Sequence, residues 1–87
     1  MHASNVVSIR EVKKGAEVML TNGWTAKVED NKVTSQTRLC TVYGTYTELG
    51  SVYSSDIVKV LVNGSWEHVV HTPSQVKMAV ARKGWGF

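Results

Sequence analysis

The chain has 87 residues, of which 43% are hydrophobic and 20% charged, and it carries a net charge of +3 at neutral pH. This composition predicts one small globular domain spanning residues 1–87 and excludes a disordered chain. The single cysteine, Cys40, excludes an intrachain disulfide and favours a reducing, cytoplasmic location. No apolar run approaches the ~20 residues that a membrane-spanning helix requires.

The N-terminal segment predicts a short first strand. Residues 1–4 are predicted to be a frayed end, and the β-domain is predicted over residues 5–71. Asn5 to Val12 carries four aliphatic residues and is predicted to form an edge strand. Such an edge invites a second chain, so homo-oligomerisation is a further expectation.

The stretch from Lys13 to Asn31 predicts a β-hairpin, because two alternating runs flank the pair Asn22-Gly23. A two-residue loop would mix core with surface positions. A three-residue loop at residues 21–23 instead pairs Leu20 with Trp24 and Val18 with Ala26, which keeps the apolar residues on one face. Gly23 is then expected in a left-handed conformation, and Trp24 in the core.

The middle of the chain predicts two more strands and a helical turn. Thr37 to Tyr43 is β-branched and aromatic, Gly44 is expected to break this strand, and Thr45 to Leu49 to continue as another. Gly50-Ser51 predicts a turn. Residues 52–57 carry a Ser-Ser-Asp set that suits a single helical turn capped by a side-chain oxygen.

The second half predicts another hairpin and a helix. Ile57 to Val62 is nearly all apolar, Asn63-Gly64 predicts the reversal, and Ser65 to His71 the returning strand. Thr72-Pro73-Ser74-Gln75 has the layout of a capping box, so a C-terminal helix is predicted over residues 72–84. Residues 85–87 form an apolar end that is expected to pack on the domain or on another subunit.

The sequence lacks a recognisable catalytic set, so no catalytic residue, cofactor site or metal site is predicted. No phosphate-binding glycine loop or nucleophile motif occurs. Cys40 is more typical of a small core residue than of a reactive thiol. His68 and His71 are three residues apart on a predicted strand, which directs them to opposite faces.

The residues that suit partner binding are surface aromatics and the basic C-terminal region. After Glu67 the chain has no acidic residue, although cations late in a helix also simply favour its negative end. Aromatics beside cations suit base stacking with phosphate contacts, and they equally suit a protein interface. The candidate partner-binding residues are Tyr46, Tyr53, Lys77, Arg82, Lys83, Trp85 and Phe87.

Two segments resemble a known family. Gly15, Glu17-Val18 and Leu20, followed by Asn22-Gly23 and Val28, resemble the opening of SH3-like and KOW-like barrels. Residues 50–57 resemble the place where such folds make one helical turn before their last strand. The chain departs from the KOW pattern at residues 24–27, where that motif has further glycines. The resemblance implies a mainly β fold, a five- to six-stranded SH3-like antiparallel barrel with one short C-terminal α-helix.

The whole chain is also similar to small proteins of bacteriophages and mobile elements. This similarity implies a non-catalytic binding module that inhibits or recruits a host or defence protein complex, as anti-CRISPR proteins do. The alternative is a small barrel that binds RNA or DNA through the basic C-terminal helix and the surface tyrosines. No membrane association is expected.

Overall fold

A computed structural model describes residues 6–32, 35–74 and 76–77 of the chain. The described residues form seven strands and two short 3-10 turns, at Ile9–Glu11 and Ser54–Asp56. The strands are β1 (Val6–Ser8), β2 (Glu17–Leu20), β3 (Thr25–Val28), β4 (Thr37–Tyr43), β5 (Thr47–Tyr53), β6 (Ile57–Val62) and β7 (Ser65–Val70). The mainly β fold predicted from the sequence is confirmed.

All seven strands belong to one mixed sheet, in the order β1-β7-β6-β2-β3-β4-β5. Five of the pairings are antiparallel, and β1 pairs with β7 in parallel. The sheet is not closed and has β1 and β5 at its edges, so the predicted five- to six-stranded antiparallel barrel is corrected to a seven-stranded mixed sheet. The edge strand at residues 6–8 was expected, but its parallel pairing with β7 joins positions roughly 60 residues apart, which local patterns do not encode.

The first hairpin has the predicted register. Val18 lies opposite Ala26, and the amide of Leu20 donates to the carbonyl of Trp24 at 2.8 Å. Gly23 has a φ of +88°, the left-handed conformation that a three-residue loop requires there. Burial on one face of both strands therefore selected the loop length, as the parity of the apolar residues predicts.

The prediction that Trp24 belongs to the core is wrong. Its side chain is 44% exposed, although it lies on the same side of the hairpin as the buried Ala26. Trp24 comes one residue before β3 begins, at the open end of the sheet, where no further layer of the described chain covers it. Side-chain parity predicted the correct face of the hairpin for Trp24. How deeply a side chain on that face is buried depends on what else packs against it, which parity does not specify.

The strand β5 is longer than predicted. Gly50 and Ser51 do not form a turn; they lie within β5 and face Cys40 and Leu39 of β4. The continuous pairing of seven residues with β4 outweighs the local preference of glycine for turns. The break at Gly44 is confirmed, since β4 ends at Tyr43.

The predicted turn before β6 is confirmed as the 3-10 turn Ser54–Asp56, but its predicted side-chain cap is wrong. Tyr53 occupies the cap position, and no side chain there bonds the turn. The Ser54 side chain instead donates to the carbonyl of Ser35 at 2.8 Å, and the Ser54 amide donates to the carbonyl of Gln36 at 2.8 Å. These bonds tie the end of β5 to the segment that precedes β4.

The second hairpin is confirmed at Asn63-Gly64, where both residues have positive φ values of 50° and 82°. This combination belongs to the two-residue turns whose twist matches paired strands. Val62 faces Ser65 across the turn.

Two further predictions concern the ends of the chain: the first strand and the C-terminal helix. The predicted strand from Asn5 to Val12 is divided, because only Val6–Ser8 is strand and Ile9–Glu11 is a 3-10 turn. A helical turn begins at Pro73, and the amide of Val76 donates to the carbonyl of Thr72 at 3.1 Å. The helix predicted to Gly84 is not shown, and the predicted frayed end lies outside the described residues, because these leave out positions 1–5, 75 and 78–87.

The core lies on the inner face of the curved sheet, beneath the segment that joins β1 to β2. Its fully buried members come from nearly every element. They are Ile9, Val12, Val18, Ala26, Val28, Cys40 and Ile57, with Leu20, Val52, Val60 and Val69 almost as deep. Within the described ranges, no helix is long and apolar enough to cross a lipid bilayer.

Candidate functional site

A groove of about 240 Å³ lies at the end of the sheet where the loop of the first hairpin meets the turn before β6. Its walls come from the first hairpin, the strands β4 and β5, and the turn before β6. The residues that line it are Leu20, Thr21, Asn22, Trp24, Val42, Ser51, Val52, Tyr53 and Asp56. Among these described lining residues Asp56 is the only Asp, Glu, Lys or Arg, so the groove is largely uncharged with an acidic group beside it.

Trp24 forms one wall of this groove because Gly44 leaves space for its ring. An atom added at the Cβ position of Gly44 would overlap Cζ3 of Trp24. Any larger residue at position 44 would therefore have to displace the indole. The glycine that ends β4 thus also sets the position of the tryptophan.

The rim of the groove is ordered by hydrogen bonds of the first hairpin loop. The amide of Thr21 donates to the carbonyl of Asp56 at 2.9 Å, which ties this loop to the turn before β6. The side chain of Asn22 accepts from the amide of Trp24 at 3.0 Å, and the amide of Gly23 donates to the carbonyl of Leu20 at 2.9 Å. A loop satisfied in this way presents its aromatic residue without a large ordering cost on binding.

Tyr53 lines the same groove and is 44% exposed. It was predicted as a partner-binding residue, whereas Trp24 was assigned to the core. The position of Trp24 one residue before a strand, across from a glycine, is the signal that could have identified it. Trp24 lies across from Gly44 because of the β3–β4 register, in which Thr25 faces Tyr43.

The other predicted binding residues are not brought into this groove by the described part of the chain. Tyr46 is 75% exposed and lies in the turn between β4 and β5, seven residues from Tyr53. The rise of a strand places these two tyrosines roughly 23 Å apart. Lys77 is exposed in the helical turn after Pro73. Arg82, Lys83, Trp85 and Phe87 lie outside the described residues.

The outer face of the β4–β5 ribbon has no charged side chain. Alternation along the two strands places eight uncharged residues on this face. They are Thr37, Leu39, Thr41 and Tyr43 on β4, and Thr47, Leu49, Ser51 and Tyr53 on β5. Seven of the eight are exposed, and Thr41 donates from its hydroxyl to the Glu29 carboxylate at 2.6 Å. We refer to these eight residues as the outer ribbon face.

Two potentially reactive or charged groups are buried away from the groove. The Arg38 guanidinium donates to the carbonyls of Val12 and Ile9, the latter at 3.0 Å, and burial lowers the pKa of this group. Burial raises the pKa of the Cys40 thiol to about 11, so at neutral pH the thiolate needed for nucleophilic chemistry is not formed. Cys40 therefore packs in the core, and Arg38 bonds the segment that joins β1 to β2.

The histidines do not form a metal site with other ligands in the described ranges. His68 lies exposed within β7, whereas His71 follows the strand, and its Nε2 lies 3.1 Å from the carbonyl of Ser54. No three His, Cys, Asp or Glu residues of the described chain lie together in a way that could hold a metal ion.

Comparison with known protein families, curated proteins and solved structures finds no match to this chain.

Proposed function

We propose that this protein is a non-catalytic binding module that holds a segment of a partner protein in the groove between Trp24 and Tyr53. The observation that carries the proposal is the pairing of two half-exposed aromatics at one largely uncharged groove with an ordered rim. Tryptophan and tyrosine dominate the energetics of protein interfaces, because a large area is buried at a small cost in side-chain entropy.

The size of the groove supports a peptide side chain as its occupant. Pockets for cofactors and drug-sized ligands are typically ~300–1,000 Å³, and this groove is smaller, at about 240 Å³. One or two side chains of an extended segment fit this volume. Asp56 beside the groove favours a segment with a basic residue next to its apolar anchor.

The sheet order supports an SH3-like arrangement at the centre of the fold. The strands β6-β2-β3-β4-β5 form an antiparallel run, and a 3-10 turn stands directly before β6. The turn before β6 lies in residues 50–57, one of the two segments that resemble SH3-like barrels. A host or defence complex as the partner, in the cytoplasm of the host cell, rests only on the whole-chain resemblance to small phage proteins, for which the comparisons add no match.

The alternative, RNA or DNA binding through the C-terminal cations and the surface tyrosines, draws less support from the described residues. Base stacking in such sites is combined with cations that follow the phosphates. The outer ribbon face offers Tyr43 and Tyr53 without a Lys or Arg, and the nearest strand contributes only Lys27 on that side.

The proposal is tested by selecting binders from a displayed library of random extended peptides. We expect the wild-type protein to enrich a motif with one apolar anchor, and Trp24→Ala and Tyr53→Ala each to weaken its binding at least about tenfold. Tyr46→Ala is the matched control, since it removes an exposed tyrosine outside the groove and is expected to leave the affinity unchanged. Circular dichroism verifies that each variant is folded.

Two results would contradict the proposal. Equal loss of affinity in the Tyr53 and Tyr46 variants would place the contact outside the groove. Failure to enrich any peptide, together with a gel shift whose affinity falls with salt by a slope near ~0.7 per phosphate contact, would favour single-stranded nucleic acid as the partner.

A further inference from the structure

The strand β5 leaves one edge of the sheet open. It spans Thr47–Tyr53 and pairs with β4 along its whole length. Within the described ranges, no other strand pairs with its second edge. The opposite edge of the sheet, β1, has only three residues, so β5 is the longer template for a further strand.

In the part of the chain that the structure describes, this edge lacks the usual protection against strand addition. Edge strands in native proteins are commonly short, bulged, or interrupted by lysine or proline. The strand β5 contains neither lysine nor proline, and its register with β4 runs without a shift from Thr47 to Tyr53. Glu48 is its only charged residue. An edge of this kind is suited to pairing.

We infer that two copies of this chain associate by antiparallel pairing of their β5 strands around Gly50. In this two-fold arrangement, each Gly50 faces Gly50 of the second copy, and Leu49 faces Ser51 of the second copy. Glu48 then faces Val52, and Thr47 faces Tyr53. The inference goes beyond the proposed function and does not rest on it.

The distribution of charge on β5 favours a second copy as the occupant. The two Glu48 residues lie four positions apart along the strands, roughly 13 Å. This separation exceeds the screening length of about 8 Å at physiological ionic strength, so the two carboxylates repel each other little. No position of β5 places a charge opposite a like charge in this register.

The register also covers the most exposed aliphatic side chain of the strand. Leu49 is 65% exposed in the single chain. In the paired arrangement, the two Leu49 side chains become diagonal neighbours, about 7–8 Å apart, which is within reach of side chains of this length. The register therefore brings the two exposed leucines near each other and places no like charges opposite each other.

The proposed contact between the two β5 strands is small, so we expect a low affinity. Stable interfaces use roughly 20–30 residues on each side, whereas strand pairing here uses seven residues of each chain. We therefore expect a weak dimer whose population rises with protein concentration.

The register predicts the behaviour of two charge variants in sedimentation equilibrium. Leu49→Lys places two ammonium groups on one diagonal, and Ser51→Glu places two carboxylates on the other, so each variant alone is expected to dimerise about two- to fivefold more weakly than wild type. In an equimolar mixture, the ammonium group introduced in one chain lies opposite the carboxylate introduced in the other, which is expected to restore a heterodimer. Both positions are exposed, so both variants are expected to fold, which circular dichroism verifies.

Three results would overturn the inference. One is a wild-type protein that remains monomeric up to about 1 mM, where a specific contact would be negligible. Another is a dimer that both charge variants retain. The third is a dimer lost instead in Val6→Lys, a matched charge at the exposed β1 edge, which would place the contact on the other side of the sheet.

Discussion

At the residue scale, Trp24 and Gly44 act as a pair. The ring of Trp24 occupies the space where a side chain at position 44 would lie, and this placement turns an aromatic at a strand end into a wall of the groove. The groove therefore depends on the absence of a Cβ atom on the neighbouring strand.

Gly44→Ala is expected to displace the Trp24 ring and to lower the free energy of unfolding by about 1 kcal/mol, the low end of the range for overpacking. The low value follows because the half-exposed ring can swing outward. Urea unfolding and tryptophan fluorescence measure the two effects. Gly50→Ala is the matched control, since nothing lies within 4 Å of its added Cβ and its φ is not left-handed. Equal effects of the two substitutions would show that the space at Gly44 is not occupied.

Burial raises the pKa of the Cys40 thiol, and this shift makes the stability of the fold depend on pH. Its pKa is raised from 9.0 to about 11, first by burial and then by the carboxylate of Asp30. In the unfolded chain the thiol ionises near its ordinary value, so between these two pH values the unfolded state binds fewer protons than the folded state. Stability present below pH 9 is consequently lost as the pH rises through about 11.

We expect the free energy of unfolding to fall across this window with a slope that approaches about 1.4 kcal/mol per pH unit from Cys40 alone. Urea unfolding at a series of alkaline pH values measures the decline. Lysines and tyrosines also titrate there, so the Cys40→Ala variant isolates the thiol by difference. A wild-type protein and a Cys40→Ala variant with parallel pH profiles would contradict the prediction.

At the element scale, Arg38 stabilises a turn that has little structure of its own. The turn Ile9–Glu11 has three residues and one side-chain cap, in which Ser8 accepts from the amide of Arg10 at 3.3 Å. The Arg38 guanidinium reaches from β4 to the carbonyls of Ile9 and Val12, at the start and just past the end of this turn. A buried cation on the sheet thereby orders the segment that covers the core.

Arg38→Met is expected to lower the free energy of unfolding by roughly 3 kcal/mol or more, because two hydrogen bonds from a charged donor are lost and two carbonyls lose this donor in the interior. Urea unfolding gives the change in stability, and hydrogen exchange at residues 9–12 shows whether the loss is local. Arg10→Met removes an exposed arginine from the turn itself and is expected to change stability by less than about 0.5 kcal/mol. Unaltered exchange at residues 9–12 in the Arg38 variant would rule out the proposed role.

At the scale of the whole molecule, the open sheet explains why two different surfaces are available for contact. The groove lies at one end of the sheet, and the unpaired edge runs along β5. Ser51, Val52 and Tyr53 belong to both regions. The two proposals can therefore be separated experimentally through Trp24, which lines the groove but is not on the edge strand, and through Leu49, which is on the edge strand but does not line the groove.

The sequence by itself determined the features whose causes are local. Side-chain parity specified the loop and register of the first hairpin, and Asn63-Gly64 specified the second. The bounds of β4 and β6 followed from their composition. These features depend on neighbours within a few positions, so a single sequence contains the information needed.

Only the tertiary structure decided the features whose causes are distant in sequence. Gly50 became part of a strand because β4 offered it a partner, and β1 found β7 rather than a local neighbour. Trp24 became a groove residue because Gly44 lies opposite it and leaves space for its ring. Whether a residue is buried or lies at a sheet edge depends on which other strands pack against it. The local periodicity of the sequence does not specify those strands.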